Sequence, residues 1–114
     1  MSASSPARST DEAAPSSFFF CRLLPPRPSF ALDMAPEERE IMQKHAAYWR
    51  EHMKNGSVIV FGPVADPQGP WGLGVLRVAD EAAVRAFSAA DPAILSGRGF
   101  RYEILPMIQA VTPD

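Results

Sequence analysis

The chain has 114 residues, of which 46% are apolar and 21% are charged, and its formal net charge is −2. A chain of this length forms one domain with a single hydrophobic core, and the composition is that of a globular protein. Because the net charge is small and no apolar run is long enough to span a bilayer, neither nucleic acid nor a membrane is an expected partner.

The cysteine content and the N-terminal charges bear on the cellular location. The single cysteine, Cys21, cannot form an internal disulfide, which fits a reducing compartment. Asp11 and Glu12 precede the first apolar run, where a secretory signal peptide would carry basic residues. The sequence therefore predicts a cytoplasmic protein.

The first half of the chain predicts an arm, a strand and a long helix. Residues 1–17 are rich in Ser, Ala and Pro and predict a disordered N-terminal arm. Residues 18–24 are aromatic-rich and end in two prolines, which is typical of a β-strand that stops there. Residues 36–54 predict a helix, since Pro36 suits a first turn and Gly56 follows as a left-handed stop.

The second half predicts two strands, a helix and a last strand. Residues 57–63 are β-branched, and residues 71–78 follow a loop that contains prolines and a glycine. Residues 81–90 predict a short helix that is capped by Asp80. Residues 100–106 predict the fourth strand.

The order strand, helix, strand, strand, helix, strand predicts the α+β class. Right-handed connections give the ferredoxin-like βαββαβ arrangement, a four-stranded antiparallel sheet with two helices on one face. The first two strands are nevertheless apolar on both of their faces. We therefore expect a homodimer that packs sheet to sheet, although loose patterning in a small domain is an alternative.

Two glycines interrupt the third predicted strand. Gly72 and Gly74 carry no side chain, so they allow a ligand or a second backbone to approach the sheet closely. A simple β-bulge accounts for them equally well.

A histidine in the apolar stripe of the long helix is the first candidate for chemistry. His45 shares one face of the 3.6-residue period with Ile41, Tyr48, Trp49 and His52. An imidazole exchanges protons near neutral pH, so a partly covered pocket beside it would support acid–base chemistry. The alternative is a core histidine whose hydrogen bonds are satisfied.

Aromatic residues from several elements are candidates for the pocket. We predict that the substrate-binding residues are Trp49, Phe61, Gly62, Pro63 and Trp71. Aromatic side chains at such spacing also commonly form a hydrophobic core, and that alternative stays open.

Several other kinds of site are not expected. His45 and His52 begin about 10 Å apart along a helix axis, too far to share a zinc ion, and no further His or Cys supplies a third ligand. Phosphate-loop glycine patterns are missing, and Cys21 in an apolar strand is a poor nucleophile. The sequence thus predicts neither a metal nor a cofactor.

Over residues 18–108 the chain resembles the YciI-related (YCII) domain family, small ferredoxin-like proteins of the dimeric α+β barrel group. Residues 1–17 and a C-terminal tail, residues 109–114, lie outside the resemblance. The fragments that carry it are Glu38-Arg39, residues 45–49, Gly56, Gly62-Pro63, Asp91-Pro92 and residues 102–106.

The resemblance implies a His–Asp pair in a cleft, which falls on His45 and Asp91. Members are regarded as enzymes and include a chlorinated-hydroquinone dehydrochlorinase, but most have no assigned reaction. The family often has phenylalanine where this chain has Ala93, and that change would reshape the space beside Asp91.

These observations lead to a hypothesis about chemistry. An aspartate that accepts a hydrogen bond from one imidazole nitrogen fixes the tautomer and leaves the other nitrogen to move a proton. We predict that His45 is the general acid/base, oriented by Asp91, in a cofactor-independent elimination or isomerisation of a small cyclic or aromatic-derived molecule. A non-catalytic ligand-binding or accessory domain, a structural dimerisation module, and an Asp91 that only caps the turn before Pro92 remain alternatives.

Overall fold

The computed structural model describes residues 17–113. The predicted disordered arm lies outside this range except for Ser17, with which the first strand begins. The elements in chain order are β1 (Ser17–Leu24), α1 (Phe30–Asp33), α2 (Pro36–Lys54), β2 (Val58–Val64), β3 (Trp71–Val78), α3 (Glu81–Ala89), α4 (Pro92–Leu95) and β4 (Arg101–Pro106).

The four strands form one antiparallel sheet in the order β2-β3-β1-β4. This order and the intervening helices confirm the ferredoxin-like α+β fold. The short helices α1 and α4 lie in segments for which the sequence predicted no helix, because four residues show no helical periodicity. Within residues 17–113, no helix is both long enough and apolar enough to cross a bilayer.

The hydrophobic core lies between the sheet and the two longer helices. Trp49 of α2 and Phe87 of α3 meet edge to face, with ring centroids 4.9 Å apart. Alternate residues of β1 point toward them, so that Phe19, Cys21 and Leu23 are buried. This face carries the helices and every buried residue of β1.

The indole of Trp49 lies directly on the sheet at Gly74. A Cβ atom on Gly74 would overlap the six-membered part of the Trp49 ring, and Trp49 is only 2% exposed. The glycine thus serves close packing of a helix side chain. The irregularity in strand pairing lies in β2, between Val58 and Val60, rather than in β3.

Within the described part of the chain, no helix packs on the opposite face of the sheet, which presents a continuous apolar row. The residues paired across the four strands are Val60, Val75, Phe20 and Leu105. Val60 is 48% exposed and Leu105 is 59% exposed. We refer to these four residues as the open face.

The contact between Gly74 and Trp49 generates a stability prediction. Gly74→Ala should lower the free energy of unfolding by about 1–3 kcal/mol, because the added methyl group has to displace a buried indole. Urea denaturation followed by circular dichroism measures the change.

Gly62→Ala is the matched control, since no atom lies within 4 Å of the Cβ position at Gly62. It should leave stability nearly unchanged. Equal effects of the two substitutions would contradict the packing role of Gly74.

Candidate active site

The structure places His45 and Asp91 in direct contact. The Nδ1 atom of His45 lies 3.0 Å from Oδ1 and 2.9 Å from Oδ2 of the Asp91 carboxylate. His45 belongs to α2, whereas Asp91 is the N-cap residue of α4 and is fully buried. Its carboxylate also accepts from the Ala93 N–H at 2.8 Å, so Asp91 both caps this turn and meets the histidine.

Two further donors complete the surroundings of the carboxylate. The Nε1–H of Trp49 donates to Oδ2 at 2.8 Å, and the hydroxyl of Tyr102 donates to the same oxygen at 2.5 Å. An indole and a backbone amide can only donate, so the carboxylate that they meet is ionised. The Nδ1 of His45 is therefore the donor toward Asp91, and Nε2 is the ring atom left for other partners.

The electrostatics of the pair follow from burial and hydrogen bonding. Burial of the Asp91 carboxyl opposes ionisation, but hydrogen bonds from His45, Tyr102 and the Ala93 N–H outweigh burial and lower its pKa. Burial and the adjacent Asp91 charge raise the pKa of the Tyr102 hydroxyl, which stays a neutral donor. The carboxylate is thus kept charged in an interior position.

A cavity of about 260 Å³ lies beside the histidine. Its wall includes the imidazole of His45, whose side chain is 12% exposed, but excludes Asp91. The remaining residues of the wall are almost all apolar. All of the predicted substrate-binding residues contribute to it, namely Trp49, Phe61, Gly62, Pro63 and Trp71.

Part of the cavity wall comes from residues that the sequence did not single out. Phe30 and Met34 lie in and after α1, Met42 lies one turn before His45, and Tyr102 reaches the wall from β4. Met42 and Tyr102 had a detectable signal, since Met42 is three residues from His45 on the helix and Tyr102 alternates inward along its strand. Phe30 had none, because α1 was not predicted.

An ionic cluster holds the β1–α2 connection that forms this wall. The Arg27 guanidinium donates twice to Glu38, at 2.9 and 2.8 Å, and once to Asp33 at 2.8 Å. The Glu38 carboxylate also accepts a hydrogen bond at 2.8 Å from the N–H of Ala35, the residue directly before α2. Hydrogen bonds from Arg27 and Ala35 lower the pKa of Glu38 to about 2.

The remaining candidates lie away from this chemistry. His52 bonds through Nδ1 to the Tyr48 carbonyl oxygen at 2.9 Å and packs on Phe87, outside the cavity wall. Ala93 is buried against Leu23 and also does not line the cavity. In the part of the chain that the structure covers, no cluster of three or more His, Cys, Asp or Glu residues could hold a metal ion.

Cys21 is not available as a nucleophile. Its thiol is fully buried on the helix-covered face of β1. Burial raises the pKa of Cys21 to about 12, so the reactive thiolate is not formed near neutral pH.

The hydroxyl of Tyr102 provides a test of the network. Tyr102→Phe should raise the pKa of Asp91 and lower the free energy of unfolding at pH 7 by about 1.5–3 kcal/mol, the usual range for a hydrogen bond to a charged group. Because the pKa of Asp91 is depressed in the folded chain, its ionisation stabilises the fold above an unfolded pKa of about 3.9 and stops doing so as the pH falls. In the variant this loss should be smaller and should be complete at a higher pH, because the folded pKa of Asp91 lies closer to the unfolded value. Carbon-detected NMR titration of Asp91 and urea denaturation measure both effects.

Tyr48→Phe is the matched control, since the Tyr48 hydroxyl donates to the Phe87 carbonyl at 2.8 Å instead of to Asp91. It should leave the titration of Asp91 unchanged. An Asp91 titration that is the same in Tyr102→Phe as in the wild type would exclude the role of Tyr102.

Comparison with known proteins identifies one family. No curated protein matches the chain. The model of the YCII-related domain family matches residues 18–108, which include the whole sheet except Ser17, together with His45, Asp91 and the cavity wall. The chain belongs to the YCII-related domain family.

Proposed function

We propose that this protein is a small-molecule enzyme in which His45 transfers a proton to and from a ligand held in the cavity. One observation carries the proposal. The His45 ring is bonded through Nδ1 to a buried, ionised aspartate while the same ring forms part of a ligand-sized apolar cavity. A held imidazole with one nitrogen left for a substrate is the arrangement that general acid–base catalysis requires.

The proposed reaction needs no cofactor. Neutral His45 takes a proton through Nε2 from a carbon or oxygen acid of the ligand, and the resulting imidazolium is stabilised by Asp91. In an isomerisation the proton returns to a different atom of the ligand. In an elimination, the electron pair of the bond to the abstracted proton forms a double bond in the ligand. The leaving group departs with the electron pair of the bond that joined it to the ligand. Small cyclic or aromatic-derived molecules suit the apolar wall.

A non-catalytic ligand-binding or accessory domain is the second candidate. It is favoured by the way other polar side chains of the wall are occupied. The Nε1–H of Trp71 donates to Asp66 at 2.9 Å, while Trp49 and Tyr102 donate to Asp91. Among the wall residues described, His45 is thus the side chain left to act as an acid or a base. A protein that only binds its ligand does not need a second acid–base group.

The open face supports a homodimer, and the free cysteine supports a location in the cytoplasm. Among residues 17–113, nothing covers the apolar side chains that are paired across all four strands. A second copy packed sheet to sheet would remove this apolar area from water in a self-complementary way. The single cysteine, buried as a free thiol, supports a reducing location.

Histidine substitution tests the catalytic proposal. His45→Gln should reduce turnover by about 10²–10⁴-fold, the usual contribution of a general acid or base. The assay incubates the full chain with an extract of small metabolites in D₂O. Mass spectrometry then follows solvent deuterium incorporated into a metabolite, or conversion of a metabolite.

His52→Gln is the matched control because His52 lies outside the cavity wall, and it should retain full turnover. Undiminished turnover by His45→Gln would refute the proposal. Metabolites that bind the wild-type chain without label or conversion would support the binding-domain alternative.

Introducing a charge on the open face tests dimerisation. Val60→Glu should convert a homodimer at micromolar concentration to a monomer, because a carboxylate buried between two apolar sheets lacks a partner. Light scattering coupled to size-exclusion chromatography measures the mass.

The control is Leu95→Glu, which changes an exposed apolar residue on α4 that does not belong to the open face. It should remain dimeric. A wild-type chain that is monomeric under these conditions would contradict the proposal.

A further inference from the structure

We infer that the cavity selects an uncharged ligand and excludes anions such as carboxylates and phosphates. This inference rests on the proposed function, because it assigns the chemical class of the molecule bound at the same site. It concerns the charge of the ligand and does not depend on whether the ligand is turned over.

The wall of the cavity offers an anion no counter-charge. Lysine and arginine are absent from its lining among residues 17–113. The titratable side chains in the lining are His45 and Tyr102, and the Tyr102 hydroxyl already donates to Asp91. An anion that leaves water for an apolar wall without a cation or several donors loses more solvation energy than it regains.

Two arginines contact aromatic residues of the cavity wall and do not line the cavity themselves. The Arg22 guanidinium carbon lies 4.4 Å from the ring centroid of Trp71, on the side of the sheet away from the helices. Arg27 lies 5.4 Å from the centroid of Phe30 and is bonded to Glu38. Phe30 and Trp71 are residues of the cavity wall, whereas neither arginine is.

Protonation of His45 does not provide the missing cation. Nδ1 of His45 is bonded to the Asp91 carboxylate, which is fully buried. An imidazolium at His45 therefore forms a net-neutral pair with Asp91. A bound carboxylate would give the three groups a net charge of −1 inside an apolar enclosure. An uncharged ligand that hydrogen-bonds to Nε2 adds no charge.

The size of the cavity sets the scale of the ligand. A cavity of about 150 Å³ lined by apolar side chains accepts benzene. The cavity beside His45 has about 260 Å³, which leaves room for one substituted six-membered ring. Benzamide and benzoate are suitable probes, because they have nearly the same shape and differ in charge at neutral pH.

Methionine NMR measures the binding of these two probes. In the wild-type chain labelled at its methionine methyl groups, benzamide should shift the signals of Met34 and Met42, which line the cavity. Met53 and Met107 do not line it and serve as internal controls. Benzoate at pH 7.5 should bind at least about 30-fold more weakly than benzamide, because its charge has no partner.

A rim substitution should create anion binding. Ala31 lines the cavity and is exposed, so Ala31→Lys places an ammonium group at its edge. This variant should strengthen benzoate binding about three- to tenfold relative to benzamide binding, as expected for a partly exposed ion pair. Leu32→Lys is the matched control, since Leu32 is 90% exposed and does not line the cavity.

The outcomes separate this inference from the proposed function. Benzoate binding as tight as benzamide binding, or no benzamide binding at the cavity, would overturn the selection of an uncharged ligand. The same result would leave proton transfer by His45 standing, because neither probe has to react. Conversely, full turnover by His45→Gln would refute catalysis without changing the charge preference.

Discussion

The buried carboxylate of Asp91 is the interaction on which the rest of the site depends. It accepts hydrogen bonds from two residues of α2, from β4 and from the first turn of α4. A carboxylate that is fully buried without such donors would cost several kcal/mol of stability. The same contacts that satisfy Asp91 therefore also join a helix, a strand and a turn that are far apart in sequence.

This arrangement links folding to the proposed chemistry. Trp49 can donate to Asp91 because its ring meets the sheet at Gly74, where no side chain keeps α2 away from the sheet. With Trp49 and Tyr102 directed at Asp91, His45 has one orientation in which Nδ1 also reaches the carboxylate. The orientation of the imidazole thus follows from packing of the core, which is how rigid positioning of an acid–base group is achieved.

The sequence predicted the regular elements well and the site in part. Proline at position 36 and the Asn55-Gly56 stop bounded α2 at the residues observed, and the alternation of β3 gave its full extent. The pairing of His45 with Asp91 came from family resemblance, since residues 46 positions apart in sequence carry no local signal of contact. The contact of Tyr102 with Asp91 and the burial of Glu38 depend on tertiary structure, and Arg27 of a loop explains the latter.

An aromatic residue of this domain can belong to the hydrophobic core and to the pocket at the same time. Trp49 is 2% exposed and belongs to the main core, yet it also contributes to the cavity wall. One edge of its ring lies against the sheet at Gly74, its nitrogen donates to Asp91, and the residue also lines the cavity. A domain of this size would need more residues to form a layer of ligand-binding side chains that is separate from the core. A cavity built from core side chains is apolar for the same reason that the core is. The Nε2 atom of His45 is therefore the polar side-chain atom that a ligand would meet.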